Sequence, residues 1–242
     1  IDSVVNIVES RNTSTQVKQQ SLEELRKHFA VIQDVLRDKS YSPRIAYKEF
    51  EILEDGSPKD IDVKEILSYL ICFDREGYDG KKHPLKAYSA KAAVLDYFRE
   101  NQARITKYIY LLPVILELKD TIYLELPEAY NQQHGKFGKL TDVTKGKTFL
   151  PFIAQESAYR IPSGFIYPIL AAFRNLVIVK GDHAEWASDP VKLFQELKLD
   201  LAERIGEQAL EFRNPNKLGK DMATWRSCYD LVELETLKRN LR

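Results

Sequence analysis

The sequence predicts a mainly α-helical fold with minor β structure (α+β), an irregular helical bundle carrying one or two short hairpins. Three observations lead there. Apolar side chains recur at helical spacing along most of the chain. Ser or Asp stands where an N-cap belongs ahead of several of these stripes. One stretch, residues 44–53, alternates as a strand does.

In chain order, residues 1–9 read as the end of a helix and RNTSTQVKQQ as a polar segment after it. Ser21 and Glu24 form a capping box ahead of Leu22, Leu25, Phe29, Ile32 and Leu36, which share a stripe. In 44–53, Ala46, Phe50 and Ile52 alternate with charges, and Asp55-Gly56 supplies a turn. Asp62 and Glu65 predict a second capping box and a helix through Phe73. A Gly- and Lys-rich loop leads to Ser89, which caps a helix ending near Arg99. Two helical stretches cover 102–130. Within them Tyr108 to Leu126 is the most apolar run, starting or bending at Pro113.

Residues 148–161 read as a short hairpin, against which Pro151 and Pro162 argue. Gly164 to Val179 reads as an apolar helix with Pro168 in its first turn. Asp189-Pro190 is a cap followed by proline at the first helical position. Leu193, Phe194, Leu197, Leu201 and Ile205 then make a stripe, which Asn214-Pro215 ends. Asp221 opens a last helix with Trp225, Cys228, Tyr229 and Val232 at core spacing.

Composition narrows the function classes. The 242 residues suit one continuous domain, or two parts, 1–100 and 101–242, the second a helical C-terminal lobe. Lys and Arg total 36 and so do Asp and Glu, so no global field draws the chain to nucleic acid or membrane. Glu117, Lys119, Asp120 and Glu125 interrupt the most apolar run, which therefore does not cross a membrane. Cys72 and Cys228 stand alone, as reduced thiols of a cytoplasmic protein do. His28, His83, His134 and His183 are scattered, so no metal site and no cofactor is assigned. The chain begins at Ile1 and its one methionine is Met222, which predicts a fragment of something longer.

Catalytic patterns fail at named residues, and no catalytic residue is assigned. Gly146-Lys147-Thr148 matches the tail of a phosphate-binding loop, but Thr141 stands where that loop needs glycine. Glu117-Leu118-Lys119 and Glu196-Leu197-Lys198 have the acid-x-Lys spacing of metal-dependent nucleases, yet both fall on helical stripes. Arg174-Asn175 lies too far before His183 for a helical ribonuclease pair, and no G-x-S-x-G elbow exists.

Binding is better served. From Arg11 to Leu22 there is no acid: Arg11, Asn12, Thr13, Thr15, Gln16 and Lys18 offer short polar donors between two cations, suited to phosphate or base edges. The same residues also suit a helix–helix linker whose side chains satisfy loose backbone ends. In HGKFGKLTDVTKGK (134–147), Lys136, Lys139, Lys145 and Lys147 outnumber Asp142, and Phe137 offers a ring on which a base stacks. A solvated surface loop is the alternative. Lys81, Lys82, His83 and Lys86 precede the Ser89 cap and suit an anion.

The run VVNIVESRNTSTQVKQQSLEEL, with Asn12-Thr13, Thr15, Gln16-Val17 and Ser21-Leu22, resembles the AIPR family, the abortive infection phage resistance proteins of bacteria. HPLKAYSAKAAVL, with Pro84, Ala87, Tyr88, Ser89 and Lys91, is similar to a second family segment. The resemblance is good over residues 1–100, read as the end of an AIPR-like core, and thin after that. It implies a cytoplasmic role in phage defence and a missing N-terminal half as a partner; it carries over no catalytic residue. The expected function is a binding or regulatory module of a phage-resistance protein that contacts nucleic acid. Two alternatives stay open: a nuclease whose active site is unrecognised or upstream, and a structural module that dimerises or docks the missing half.

Overall fold

The computed structural model describes residues 30–37, 45–46, 61–74, 94, 97–98, 100–133, 163–209 and 215–241. More than four in five of these are helical, and the rest include two small two-stranded sheets. The capping box at Ser21, the strand beyond Ala46, the Ser89 cap and the 148–161 hairpin lie outside the described residues.

Helix α1 (30–37) buries Ile32 and Leu36, one turn apart as the stripe requires. Strand β1 (Ile45–Ala46) pairs with β2 (Ile61–Asp62), and α2 (Val63–Phe73) follows directly. The β1–β2 pair is parallel, Ile45 opposite Ile61, so β1 does not belong to a hairpin closed at Asp55-Gly56. Parallel neighbours need a longer crossover than a tight turn allows. Asp62, expected as a helix cap, is the last residue of β2.

Helix α2 is covered on every side: Val63 and all of Ile66 to Phe73 are buried. The hydroxyl of buried Ser68 donates to the Lys64 carbonyl at 2.8 Å. Helix α3 (Gln102–Ile105) runs into a 3-10 segment (Thr106–Leu111) and then α4 (Leu112–Gln133). The path changes from 3-10 to α beside Pro113, which has no N–H to give to either register. Pro127 is accommodated inside α4, which continues past it to Gln133.

Helix α5 (Ser163–Ala172) ends earlier than expected. A 3-10 turn (Phe173–Leu176) leads into β3 (Val177–Lys180), which pairs antiparallel with β4 (His183–Trp186). Val177 to Val179 is therefore strand, and Pro168 lies past the first turn. The turn between the strands is Gly181-Asp182. Gly181 has φ +61°, the left-handed form that a two-residue hairpin asks of a glycine in first position.

Helix α6 (Pro190–Ala209) begins as expected. The Asp189 carboxylate accepts from the N–H groups of Val191 at 2.9 Å and Lys192 at 3.1 Å. After a 3-10 segment (Pro215–Lys220), α7 (Met222–Lys238) is capped by Asp221, which accepts from the Thr224 N–H and hydroxyl, each at 2.8 Å. It ends with Asn240 at φ +50°. The Leu241 N–H donates to Thr236 and the Asn240 N–H to Leu237, which satisfies the last carbonyls.

Helix α6 packs along α4, α7 against α5, and α5 against α2. One apolar core runs through these contacts from Ile32 to Val232, with Phe173 set edge-to-face on Phe194 at 6.3 Å. Cys72 and Cys228 are free and buried within it.

Candidate functional site

All ten residues expected to contact nucleic acid (Arg11, Asn12, Thr13, Thr15, Gln16, Lys18, Lys136, Lys139, Lys145 and Lys147) lie outside the described residues, as do Lys81, Lys82, His83 and Lys86. The discarded nuclease pairs are described, and both sit on helices. Glu117 is exposed in mid-α4, and Lys119 pairs with Asp120 at 2.6 Å. Glu196 holds Arg239, the residue that follows α7, while Lys198 reaches back to Glu125 of α4 at 2.9 Å. These ion pairs join helices. Arg174 is buried beneath the Tyr229 ring, 4.6 Å from its centre, and cannot meet the exposed His183.

A different set of residues comes together where α2 ends. The carboxylate of Asp74, 1% exposed, accepts from Nε of Arg104 at 2.8 and 3.0 Å and from its Nη2 at 2.8 Å. The Tyr97 hydroxyl donates to it at 3.2 Å, and Asn101 accepts from Arg104 at 2.8 Å. Hydrogen bonding to Asp74 raises Arg104 above its ordinary value; burial beside the same carboxylate raises the Tyr97 hydroxyl. Phe73, one residue earlier, meets Trp186 edge-on at 5.3 Å. The end of α2 thus fastens both the start of α3 and the β3–β4 hairpin, and β4 packs directly on the 3-10 segment.

That frame holds a surface pocket of about 380 Å³. Its described lining is Val31 of α1, Thr106, Ile109 and Tyr110 of the 3-10 segment, and Asp182 and His183 of the hairpin turn. Tyr110 is 61% exposed, although Tyr108, Ile109 and Leu111 beside it are buried. The Asp182 carboxylate lies 3.2 Å from Nδ1 of His183. That hydrogen bond, with Lys107 contributing a smaller pull, holds Asp182 below the usual carboxylate range, so it is ionised at neutral pH. The pocket combines two aliphatic side chains, one exposed ring, an imidazole, a hydroxyl and a carboxylate. Sequence reasoning had no local signal for it: Tyr110 and Asp182 are far apart in the chain, and reading Val177–Val179 as helix hid the turn that presents Asp182.

A family model described as AIPR protein matches residues 2–217. The chain belongs to the AIPR family. The match runs well past residue 100, where the resemblance had thinned, and takes in every described residue lining the pocket. AIPR membership supports a role in abortive infection and phage resistance. No curated protein and no solved structure matches. Among the described residues no group of His, Cys, Asp and Glu could hold a metal ion. None of the described helices is long and apolar enough to cross a membrane.

Proposed function

We propose that this chain is the recognition module of a phage-resistance protein and that its ligand is nucleic acid. The observation that carries the reading is the pocket, where the exposed Tyr110 ring and the His183 imidazole stand with polar groups on a braced frame. Unpaired bases need such a set: a ring face to stack on and polar atoms for the base edge. Arg11, Lys18, Lys136, Lys139, Lys145 and Lys147 would supply phosphate contacts, and Asn12, Thr13, Thr15 and Gln16 shorter polar ones. The neutral chain gives little long-range steering, so binding is micromolar or weaker and nearly sequence-independent in its phosphate part. On this reading the protein works in the cytoplasm and selects or holds nucleic acid rather than cutting it.

The test is a fluorescence-anisotropy titration of labelled single strands and duplexes. The parent is compared with Tyr110→Ala and with a variant in which Lys136, Lys139, Lys145 and Lys147 are all Ala. Losing one stacking ring should weaken single-strand binding roughly 5- to 100-fold. The quadruple variant should bind more weakly and less salt-dependently. Unchanged binding by the lysine variant sinks the loop's role; unchanged binding by Tyr110→Ala sinks the pocket's. Cleavage with magnesium or manganese that Glu117→Ala or Glu196→Ala abolishes would instead establish the nuclease reading.

A further inference from the structure

The geometry points to guanine as the base this pocket accepts: Asp182 takes the two adjacent N–H donors of its Watson–Crick edge while Tyr110 and His183 offer ring faces. The inference rests on the nucleic-acid reading above and names the ligand of the same pocket.

The argument is one of donor and acceptor patterns. An ionised carboxylate only accepts, with two oxygens side by side. Guanine alone among the four common bases presents two neighbouring donors on its Watson–Crick edge, N1–H and the N2 amino group. Adenine and cytosine each place a ring-nitrogen lone pair beside their amino group, and uracil or thymine flanks one N–H with two carbonyl oxygens. Each of these sets at least one lone pair against the carboxylate.

Asp182 is fully exposed at the tip of the hairpin and carries its negative charge at neutral pH. The turn fixes its place: Gly181 adopts the left-handed conformation, and the strands on either side are in register from Val177–Trp186 to Lys180–His183. Val31 and Ile109 supply apolar lining for a purine plane, and about 380 Å³ suffices for one base. Thr106 lines the pocket and Lys107 exerts a small electrostatic pull on Asp182, a hydroxyl and a cation suited to the guanine carbonyl or a phosphate. A guanine in a single strand and a free guanine nucleotide share this edge.

The experiment separates those two sources. The full chain is titrated with thymidine 12-mers carrying one central dG, dA or dC, and separately with GMP and AMP. Asp182→Asn and Tyr110→Ala are run beside it. Because Asp182 is exposed, Asn there leaves the fold intact, but it replaces one acceptor by a donor and so matches adenine's edge. The dG strand should bind about 5- to 10-fold tighter than the dA strand, the lower end of what a bidentate base contact gives. Asp182→Asn should bring that ratio to about one or invert it. Tyr110→Ala should weaken all strands and leave the ratio alone.

Strands that bind with no dG preference, or a preference that survives Asp182→Asn, overturn the guanine assignment while leaving the nucleic-acid reading standing. If no strand binds but GMP binds over AMP and Asp182→Asn removes that difference, the guanine pocket stands and the nucleic-acid reading falls. If neither strands nor nucleotides bind, both fall.

Discussion

Replacing Arg104 with Ala should unfold this protein far more readily than replacing an exposed arginine in an equally well-formed ion pair. Asp74 is 1% exposed and Arg104 25%, and the guanidinium meets the carboxylate through Nε and Nη2 at 2.8 to 3.0 Å. Removing the cation deprives a buried carboxylate of the guanidinium that bonds it through Nε and Nη2. Breaking one side of a buried pair costs roughly 3–5 kcal/mol, and the partial exposure of Arg104 puts this case near about 3 kcal/mol. In a domain of this size that is a fall in Tm of about 6–12 °C. The matched control is Arg239→Ala. Arg239 bonds Glu196 and Glu235 on the helix surface, where solvent screens the charges and a pair contributes little. Urea denaturation followed by circular dichroism at 222 nm measures both. The double variant Asp74→Leu/Arg104→Leu should recover part of the loss, since it removes both charges. Equal midpoints for Arg104→Ala and Arg239→Ala would refute the claim that this pair braces the end of α2.

Two further outcomes test the fold. Asp221→Ala removes the acceptor for the Thr224 N–H and hydroxyl and should cost about 1–2 kcal/mol in the same denaturation assay, with an unchanged m-value. Burial raises the thiol of Cys72 and pushes that of Cys228 up to about 12, whereas an unfolded thiol titrates near 8.5. The folded state therefore keeps protons that the unfolded state gives up. Their contribution is fully present below about pH 8.5 and is lost as pH rises toward 12. Urea midpoints between pH 7.5 and 10.5 should fall more steeply for the parent than for the Cys72→Ala/Cys228→Ala variant.

What the sequence disclosed follows the range of each interaction. The caps at Asp189 and Asp221 act on backbone two or three residues away, and both appear where their spacing placed them. The stripe Leu193, Phe194, Leu197, Leu201 and Ile205 is buried as its period required. Val177-Ile178-Val179 was misread because a short apolar run is compatible with buried helix or strand. The β-branched residues and the Gly181-Asp182 turn were the signals that favoured strand. Tertiary context decided there, with the Phe73–Trp186 contact bringing the hairpin onto α2. The Asp74–Arg104 pair and the pocket were illegible for the same reason: their members are separated by dozens of residues and no local spacing links them. The cationic segments were legible as charge, which fixes chemistry without fixing position.

The central claim is that this AIPR protein recognises nucleic acid, and the salt dependence of binding tests it most directly. Six phosphate contacts from Arg11, Lys18 and the four loop lysines should give a log–log slope of about −4 to −5 for single and double strands between 50 and 200 mM salt. A steep slope of that size, falling toward about −1 to −2 in the quadruple lysine variant, is the predicted result. No saturable binding at 50 mM salt, or binding that does not change with salt, would contradict the account.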